Sequence, residues 1–148
     1  MGKCCDNTDT INLLKECNAG IKMGVSSIED VMDKAESKSL VKILSSSKDE
    51  HCRLGDETRR ILNNLGEEGK EPNPMAKGMS WMKTNLMMAM DADDTTIADL
   101  LTDGCNMGVK SLSRYLNQYA AADEKSKDIA KKLIAMEADL AYQLRDYL

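Results

Sequence analysis

The chain has 148 residues, a formal net charge of −5 and a pI near 5.0, and its length is typical of one domain. Hydrophobic residues make up 42% of the chain, but phenylalanine is absent, and this composition favours helices over strands. The acidic balance argues against a nucleic-acid partner. No apolar run approaches the roughly 18 residues needed to cross a bilayer, so no membrane association is predicted.

The first residues of the chain are polar. Residues 1–7 lack the apolar core of a signal peptide, and we expect them to form a flexible tail of a cytoplasmic protein. Residues 8–148 are predicted to form one domain. The five cysteines are an odd number without metal-knuckle spacing, so a disulfide framework is not expected.

The first half of the chain contains two amphipathic helical patterns, over about residues 8–35 and 39–66. Apolar or small residues recur in alternating steps of three and four, which gives each helix one buried stripe. The short polar break between the helices makes them antiparallel neighbours. The stripes are Leu14, Cys17, Ile21, Gly24, Ile28, Val31 and Ala35, then Leu40, Leu44, Ser47, His51, Leu54, Thr58, Ile61 and Leu65.

The second half begins with a linker that contains both prolines and with a methionine-rich helix over about residues 75–91. Two long helices follow, over about 95–121 and 124–147, with Asp94 or Thr95 capping the first and Asp123 capping the second. Their inward stripes are Ala98, Leu101, Cys105, Val109, Leu112, Leu116 and Tyr119, then Ile129 or Ala130, Leu133, Glu137, Leu140, Leu144 and Leu148.

The connection between the second and third long helices determines the topology. The second helix is about 40 Å long, and the stretch from Gly66 to Asp94 can span that distance again. The predicted fold is therefore an all-α, ferritin-like antiparallel four-helix bundle, with a long crossover that carries the short helix.

An internal repeat supports two equivalent halves. The sequence CNAGIK at residues 17–22 recurs as CNMGVK at residues 105–110. This register makes His51 equivalent to Asp139, and Asp49 equivalent to Glu137.

Three stretches resemble a known family: NAGIK at residues 18–22, MAKGMSWMKTNL at 75–86 and TDGCNMGVKSLSRYL at 102–116. They are similar to a group of uncharacterised bacterial ferritin-like four-helix proteins, and the resemblance extends from about Ile11 to Leu148. It implies the fold, but the family has no agreed reaction.

A di-iron bundle needs a glutamate from each of two helices and a Glu-x-x-His pair from each of the other two. This chain departs from that set, so we predict that a di-iron site is lost. Other residues occupy the expected ligand positions, namely Cys17 and Asn18, Lys48, Cys105 and Asn106, and Leu140.

A smaller site around His51, the only histidine, remains an alternative. Cys17, Cys105 and either Glu137 or Asp139 would supply the other donors to one transition-metal ion such as zinc. No other cofactor is predicted. In the favoured interpretation, His51 is instead a core histidine bonded to Ser47 or to an inward carboxylate, and the cysteines pack as small apolar residues.

The methionine-rich helix carries a second candidate site. Most of its methionines form one stripe that packs inward, but Met87 and Met88 lie off that stripe. Together with Trp81 and Met82 they are predicted to form the surface of a homodimer or of a contact with another protein.

No phosphate-binding loop or nucleophile motif occurs in the chain, and no catalytic residue is predicted. The predicted function is a non-enzymatic structural or interaction module. The alternatives are a metal-binding protein centred on His51, and a thiol switch at Cys52, whose neighbours His51 and Arg53 would lower its thiol pKa.

Overall fold

The computed structural model describes residues 3–68 and 92–148. Within these ranges there is no strand, and no helix is long and apolar enough to cross a membrane. The first helix begins five residues before the predicted residue 8, and so overlaps the predicted tail. The predicted helix at 75–91 lies outside the described residues. The helices are α1 (Lys3–Met32), α2 (Lys38–Asn64), α3 (Asp94–Gln118) and α4 (Glu124–Leu144), and a 3-10 turn (Arg145–Tyr147) follows.

Asp93 caps the N-terminus of α3. Its backbone is extended, and its Oδ1 accepts hydrogen bonds from the backbone N–H and the hydroxyl of Thr96, both at 2.9 Å. The predicted cap at Asp94 or Thr95 is wrong, because both residues already lie within the helix. The other caps are Ser37 for α2 and the predicted Asp123 for α4.

Gly66 lies just beyond the end of α2, whose last helical residue is Asn64. Its φ of 74° is in the left-handed region that favours glycine. The N–H of Gly66 donates to the carbonyl of Asn63 at 3.0 Å, and that of Glu67 donates to the carbonyl of Leu62 at 2.9 Å. This pair of hydrogen bonds is the Schellman arrangement, which satisfies the last carbonyls of a helix.

Helices α1 and α4 run in the same direction. At one end the N–H of Asp123 donates to Thr10 Oγ1 at 2.9 Å. Further along, a Cβ added to Gly20 would lie 3.7 Å from Leu133. The residue numbers increase together along both helices, which is the signature of a parallel pair.

Helices α2 and α3 begin at the same end of the bundle, because the N–H of Ser37 donates to Asp94 Oδ2 at 2.9 Å. Helix α2 then ends beside the start of α1, where Lys15 Nζ and Glu67 Oε1 are 2.8 Å apart. The chain must therefore traverse the length of the bundle between α2 and α3. This geometry confirms the predicted single long crossover.

The predicted stripes form the interior of the bundle. One apolar cluster contains Ile28, Leu44, Leu101 and Leu140, and another contains Ile21, Leu54, Leu112 and Leu133. Leu148 was expected inside but is 58% exposed, because α4 ends at Leu144 and the chain turns away. Between the two clusters the buried positions of α2 and α4 are polar, namely Ser47, His51 and Glu137.

The two hairpins make equivalent contacts, but in a different register from the predicted one. Thr10 of α1 binds the N–H of the α4 cap Asp123, and Asp94 of α3 binds the N–H of the α2 cap Ser37. Equivalent residues of α1 and α3, the first helices of the two hairpins, are thus 84 residues apart in the sequence. Equivalent residues of α2 and α4, the second helices, are 86 residues apart. The predicted equivalence of His51 with Asp139 is wrong by two residues, because Glu137 is the α4 residue that faces His51.

Candidate functional site

His51 lies at the centre of the bundle and is 1% exposed. Its Nδ1 is 2.7 Å from the carbonyl oxygen of Ser47 and 3.5 Å from the Ser47 hydroxyl. Its Nε2 is 3.4 Å from Glu137 Oε1. The ring therefore connects one turn of α2 to a carboxylate on α4, which is the interpretation favoured from the sequence.

The geometry shows which ring nitrogen needs a proton for each hydrogen bond. A carbonyl oxygen can only accept a hydrogen bond, so Nδ1 must be the N–H donor to Ser47. In neutral histidine, Nε2 would then be an acceptor facing the acceptor oxygens of Glu137. A hydrogen bond between Nε2 and Oε1 requires one additional proton, which makes the pair either imidazolium with carboxylate or imidazole with carboxylic acid.

Electrostatics favour the imidazolium form. Burial alone would lower the pKa of His51, because it disfavours the charged ring. The hydrogen bonds to Glu137 and Ser47, together with the negative charges of Glu137 and Glu50, outweigh burial and leave the pKa above its ordinary value of 6.5.

Cys105 of α3 is the third member of this cluster. It is buried, and its thiol shares a hydrogen bond with Glu137. Burial raises the pKa of Cys105, and the charge and hydrogen bond of Glu137 raise it further. Because the thiol therefore stays protonated, it donates to the carboxylate instead of competing with it for a cation.

Two glycines flank the pair. A Cβ added to Gly24 of α1 would lie 2.9 Å from His51 Cδ2, 3.1 Å from Nε2 and 3.6 Å from Glu137 Oε1. A Cβ added to Gly108 of α3 would lie 3.5 Å from Glu137 Cδ. The His51 ring thus occupies the space that a side chain at position 24 would fill, whereas a Cβ at position 108 would make ordinary contact with Glu137.

The structure brings together three of the five predicted metal ligands, His51, Glu137 and Cys105. Asp139 is exposed and accepts a hydrogen bond from Gln143 at 2.7 Å. Cys17 lies two helical turns before Gly24, about 10 Å along α1, in the apolar cluster around Leu54.

The apolar surroundings keep Cys17 neutral. Burial, with the nearby charge of Glu16, raises the pKa of Cys17 to about 12. Within the two described ranges, no group of three or more His, Cys, Asp or Glu side chains is arranged to hold a metal ion.

Cys52, the predicted thiol switch, does not join this cluster. Cys52 is exposed, although the neighbouring His51 is buried, because adjacent helical residues face different directions. The interaction residues Trp81, Met82, Met87 and Met88 lie outside the described part of the chain.

Comparison with known proteins identifies the fold. The chain is similar to the Dps92 protein of Deinococcus radiodurans, with a TM-score of 0.77, 9% identity and coverage of 97% of this chain and 87% of that one. It is also similar to Dps from Thermosynechococcus elongatus, with a TM-score of 0.69, 9% identity and coverage of 99% and 94%. The fold is ferritin-like.

A third similar structure is a conserved hypothetical protein from Mycobacterium tuberculosis, with a TM-score of 0.65, 15% identity and coverage of 97% of this chain and 96% of that one. No protein-family model matches the sequence, and no curated protein matches it. The resemblance to ferritin-like proteins expected from the sequence is thus confirmed for the fold.

The residues at the centre do not fit the di-iron set of a ferritin-like bundle. That set needs carboxylates from α1 and α3, but these helices present Gly24 and Gly108 to the pair. Three residues before His51, Lys48 pairs with Glu29, and three residues after Glu137 stands the buried Leu140. Of six ligands, the chain supplies one histidine and one glutamate.

Gly24 was expected only as a small residue of the α1 stripe, and its contact with His51 was missed. A signal for it exists in the sequence, because GIKMGV at residues 20–25 recurs as GCNMGV at residues 104–109. That repeat has the 84-residue offset that the contacts show, and it pairs Gly24 with Gly108.

Proposed function

We propose that this protein is a cytoplasmic, non-enzymatic structural or interaction module with a ferritin-like fold that works without a di-metal centre. The hydrogen-bonded His51–Glu137 pair carries this proposal. Both ring nitrogens have partners in the protein, and α1 and α3 present Gly24 and Gly108 to the pair, so neither helix adds a second carboxylate beside Glu137. A histidine in this arrangement stabilises the bundle without a cation.

The competing function is a metal-binding protein centred on His51. The convergence of His51, Glu137 and Cys105 favours it over a site elsewhere in the described residues. Against it, the bound proton and the protonated thiol would both have to leave before a cation could enter.

Metal content distinguishes the two functions. Protein purified without chelators or metal-affinity columns should contain no near-stoichiometric transition metal, in the wild type or in His51→Ala. Its unfolding midpoint should not change between excess Zn²⁺ and excess EDTA. Metal that is bound by the wild type and lost in His51→Ala would overturn the proposal. The Lys48→Ala variant, which changes a half-exposed residue of the same helix, controls for nonspecific effects.

The partner of such a module is predicted to contact Trp81, Met82, Met87 and Met88, and a second copy of the chain is the proposed occupant. The Trp81→Glu variant should lower the mass measured by sedimentation while keeping the helical circular dichroism. Met23→Glu, at an exposed residue of α1, is the matched control and should keep the wild-type mass. An unchanged mass in Trp81→Glu would exclude this surface.

A further inference from the structure

We propose that the exposed side of α4 binds α4 of a second copy of the chain, with the two helices antiparallel. This contact is additional to the one proposed at Trp81, and the two can be tested separately. The surface is one stripe of exposed residues in alternating steps of three and four, which we call the α4 stripe. It consists of Asp128, Lys131, Ala135, Ala138, Tyr142 and Arg145.

The α4 stripe lies away from the interior of its own bundle. The other side of α4 carries the buried residues Leu133, Glu137 and Leu140. Tyr142 is 64% exposed, more than any other large hydrophobic residue in the described ranges, and tyrosine is enriched where proteins bind each other. Alternating steps of three and four are the spacing of a seam between two helices. The stripe therefore has the form of a helix–helix contact surface.

The ends of the stripe determine which residues meet. In a two-fold symmetric pair, a residue i that contacts residue j of the second copy is itself matched by j contacting i. When two antiparallel stripes overlap fully, each residue of one stripe lies opposite one residue of the other. The resulting pairs are Asp128 with Arg145, Lys131 with Tyr142, and Ala135 with Ala138.

All three pairs are chemically complementary. The carboxylate of Asp128 and the guanidinium of Arg145 have opposite charges and matching hydrogen-bonding geometry. The ring of Tyr142 attracts the ammonium group of Lys131. The alanines between them are small, so the two helix axes can approach closely. A parallel pair would instead place each residue opposite its own copy and bring like charges together, so the charges select the antiparallel arrangement.

The charged residues of the stripe are available for this contact. Arg145 follows the last residue of α4 but keeps helical backbone angles, with φ of −55° and ψ of −36°. Its guanidinium carbon lies 5.0 Å from the centroid of the Tyr142 ring, so the side chain stays on the stripe. Among the described residues, neither Asp128 nor Lys131 has a salt-bridge partner. Binding a second copy therefore breaks no ion pair of these two residues within that part of the chain.

The equivalent stripe of α2, 86 residues earlier, lacks this complementarity. Its residues are also exposed, but an antiparallel pair of α2 helices would place Lys42 opposite Arg59. Asp49 would lie opposite Cys52, and Asp56 stands where α4 has Tyr142. Self-complementarity is thus specific to α4 within this pair of helices, and a second copy is the partner that the α4 stripe fits.

Charge exchange tests the pairing. Asp128→Arg places an arginine opposite Arg145 of the second copy, and Arg145→Asp brings two aspartates together. Each variant should weaken self-association by roughly 10-fold or more. The double variant Asp128→Arg/Arg145→Asp restores opposite charges and should recover most of the lost affinity. Asp139→Arg makes the same charge change at an exposed α4 residue outside the stripe, and this matched control should associate like the wild type.

The dissociation constant is measured by sedimentation in the otherwise wild-type chain and in a Trp81→Glu background, which removes the contact proposed at Trp81. Circular dichroism checks that each variant keeps its helices. A double variant that associates no more tightly than Asp128→Arg or Arg145→Asp would overturn the proposal. A loss of the same size in Asp139→Arg would also overturn it.

Disulfide formation tests the direction of the helices independently of charge, in a Cys4→Ser, Cys5→Ser, Cys52→Ser background. An equal mixture of Lys131→Cys and Tyr142→Cys chains should form linked dimers under mild oxidation, because the two positions face each other. Either variant alone should form few, because position 131 of one copy lies about 16 Å along the axis from position 131 of the other. Equal yields in all three samples would contradict the antiparallel arrangement.

The two contacts can fail separately. If Trp81→Glu leaves the mass unchanged while charge exchange behaves as expected, only the Trp81 surface is excluded and the α4 contact is supported. If Trp81→Glu lowers the mass but the double variant does not recover affinity, only the α4 contact is excluded.

Discussion

His51 and Glu137 face each other across the middle of the bundle, with Nε2 3.4 Å from Oε1, and a proton on Nε2 makes this contact a hydrogen bond. Because Nδ1 is committed to the carbonyl of Ser47, this proton cannot be lost without placing two acceptors in contact. The pair therefore couples α2 to α4 at a position where both helices would otherwise bury an unpaired polar group.

The two residues should be energetically coupled. His51→Leu leaves the carboxylate of Glu137 buried without its imidazole partner, and we expect it to lower the free energy of unfolding by about 2–3 kcal/mol. Glu137→Leu should cost a similar amount. The double substitution should cost at least about 1 kcal/mol less than the sum, as measured by urea unfolding.

Lys48→Leu provides the comparison for this double-mutant cycle of His51 and Glu137. Lys48 Nζ is 3.0 Å from Glu29 Oε2, but both side chains are substantially exposed, so its loss should cost less than about 1 kcal/mol. Strict additivity of the His51 and Glu137 substitutions would show that the pair does not interact.

Stability should depend on pH through His51. Its pKa in the folded state lies above the value of 6.5, so the folded protein binds the proton more tightly than the unfolded chain does. The resulting stabilisation is fully present below pH 6.5 and is lost as the pH rises through the folded pKa. The free energy of unfolding should therefore fall across that window.

His51→Gln isolates this contribution, because His51 is the only histidine in the chain. The difference in unfolding free energy between wild type and His51→Gln should be largest in mildly acidic solution and shrink with increasing pH. A difference that grows between pH 6.5 and pH 8 would mean that the ring is neutral in the folded protein.

The fold was predictable because its signals are periodic and repeated. Each long helix carries a stripe of inward residues in steps of three and four, and most of those residues are buried, including Leu14, Leu44, Leu101 and Leu133. The long gap between α2 and α3 required a crossover. These features depend on many residues, so the incorrect placement of one residue, Leu148, in the interior did not change the predicted fold.

The centre was only partly predictable, because it depends on the register between helices. The repeat of C-N-x-G pairs Asn18 with Asn106, but Asn18 is fully buried and Asn106 is exposed. The alternative register pairs Met23 with Met107, which are both exposed. Each register has four identical positions in its six-residue repeat, so local identity does not separate the two registers. Burial, which the sequence does not display directly, decides for the second.

The cysteines should differ sharply in reactivity. Cys52 is exposed, whereas Cys17 and Cys105 are buried and have raised pKa values, and a thiol must be accessible and ionised to react. In a Cys4→Ser, Cys5→Ser background, a disulfide reagent should modify one thiol in the folded protein. The other two should react only on unfolding.

The same titration tests the thiol-switch alternative. If the fast-reacting thiol is absent from Cys52→Ser, that thiol belongs to Cys52. A reaction rate no higher than that of a small-molecule thiol at the same pH would leave the switch hypothesis without support. Rapid modification of all three thiols in the folded protein would contradict the burial of Cys17 and Cys105.

The α1–α2 loop and the α3–α4 loop should open independently of each other. Asp94 accepts from the N–H groups of Glu36 at 2.7 Å and Ser37 at 2.9 Å, so it holds the α1–α2 loop from the start of α3. Asp94→Ala removes both hydrogen bonds, and we expect it to lower the free energy of unfolding by about 1–2 kcal/mol. Hydrogen exchange at Glu36 and Ser37 should accelerate, and exchange at Asp123 should not change.

Thr10→Val is the reciprocal variant in the other hairpin. It removes the acceptor of the Asp123 N–H, so exchange should accelerate at Asp123 and remain unchanged at Ser37. Because one neutral acceptor is lost instead of a carboxylate with two bonds, the cost should be smaller, about 1 kcal/mol. If either substitution accelerated exchange at both loops equally, the two ends of the bundle would open together, and the hairpins would not be separate units.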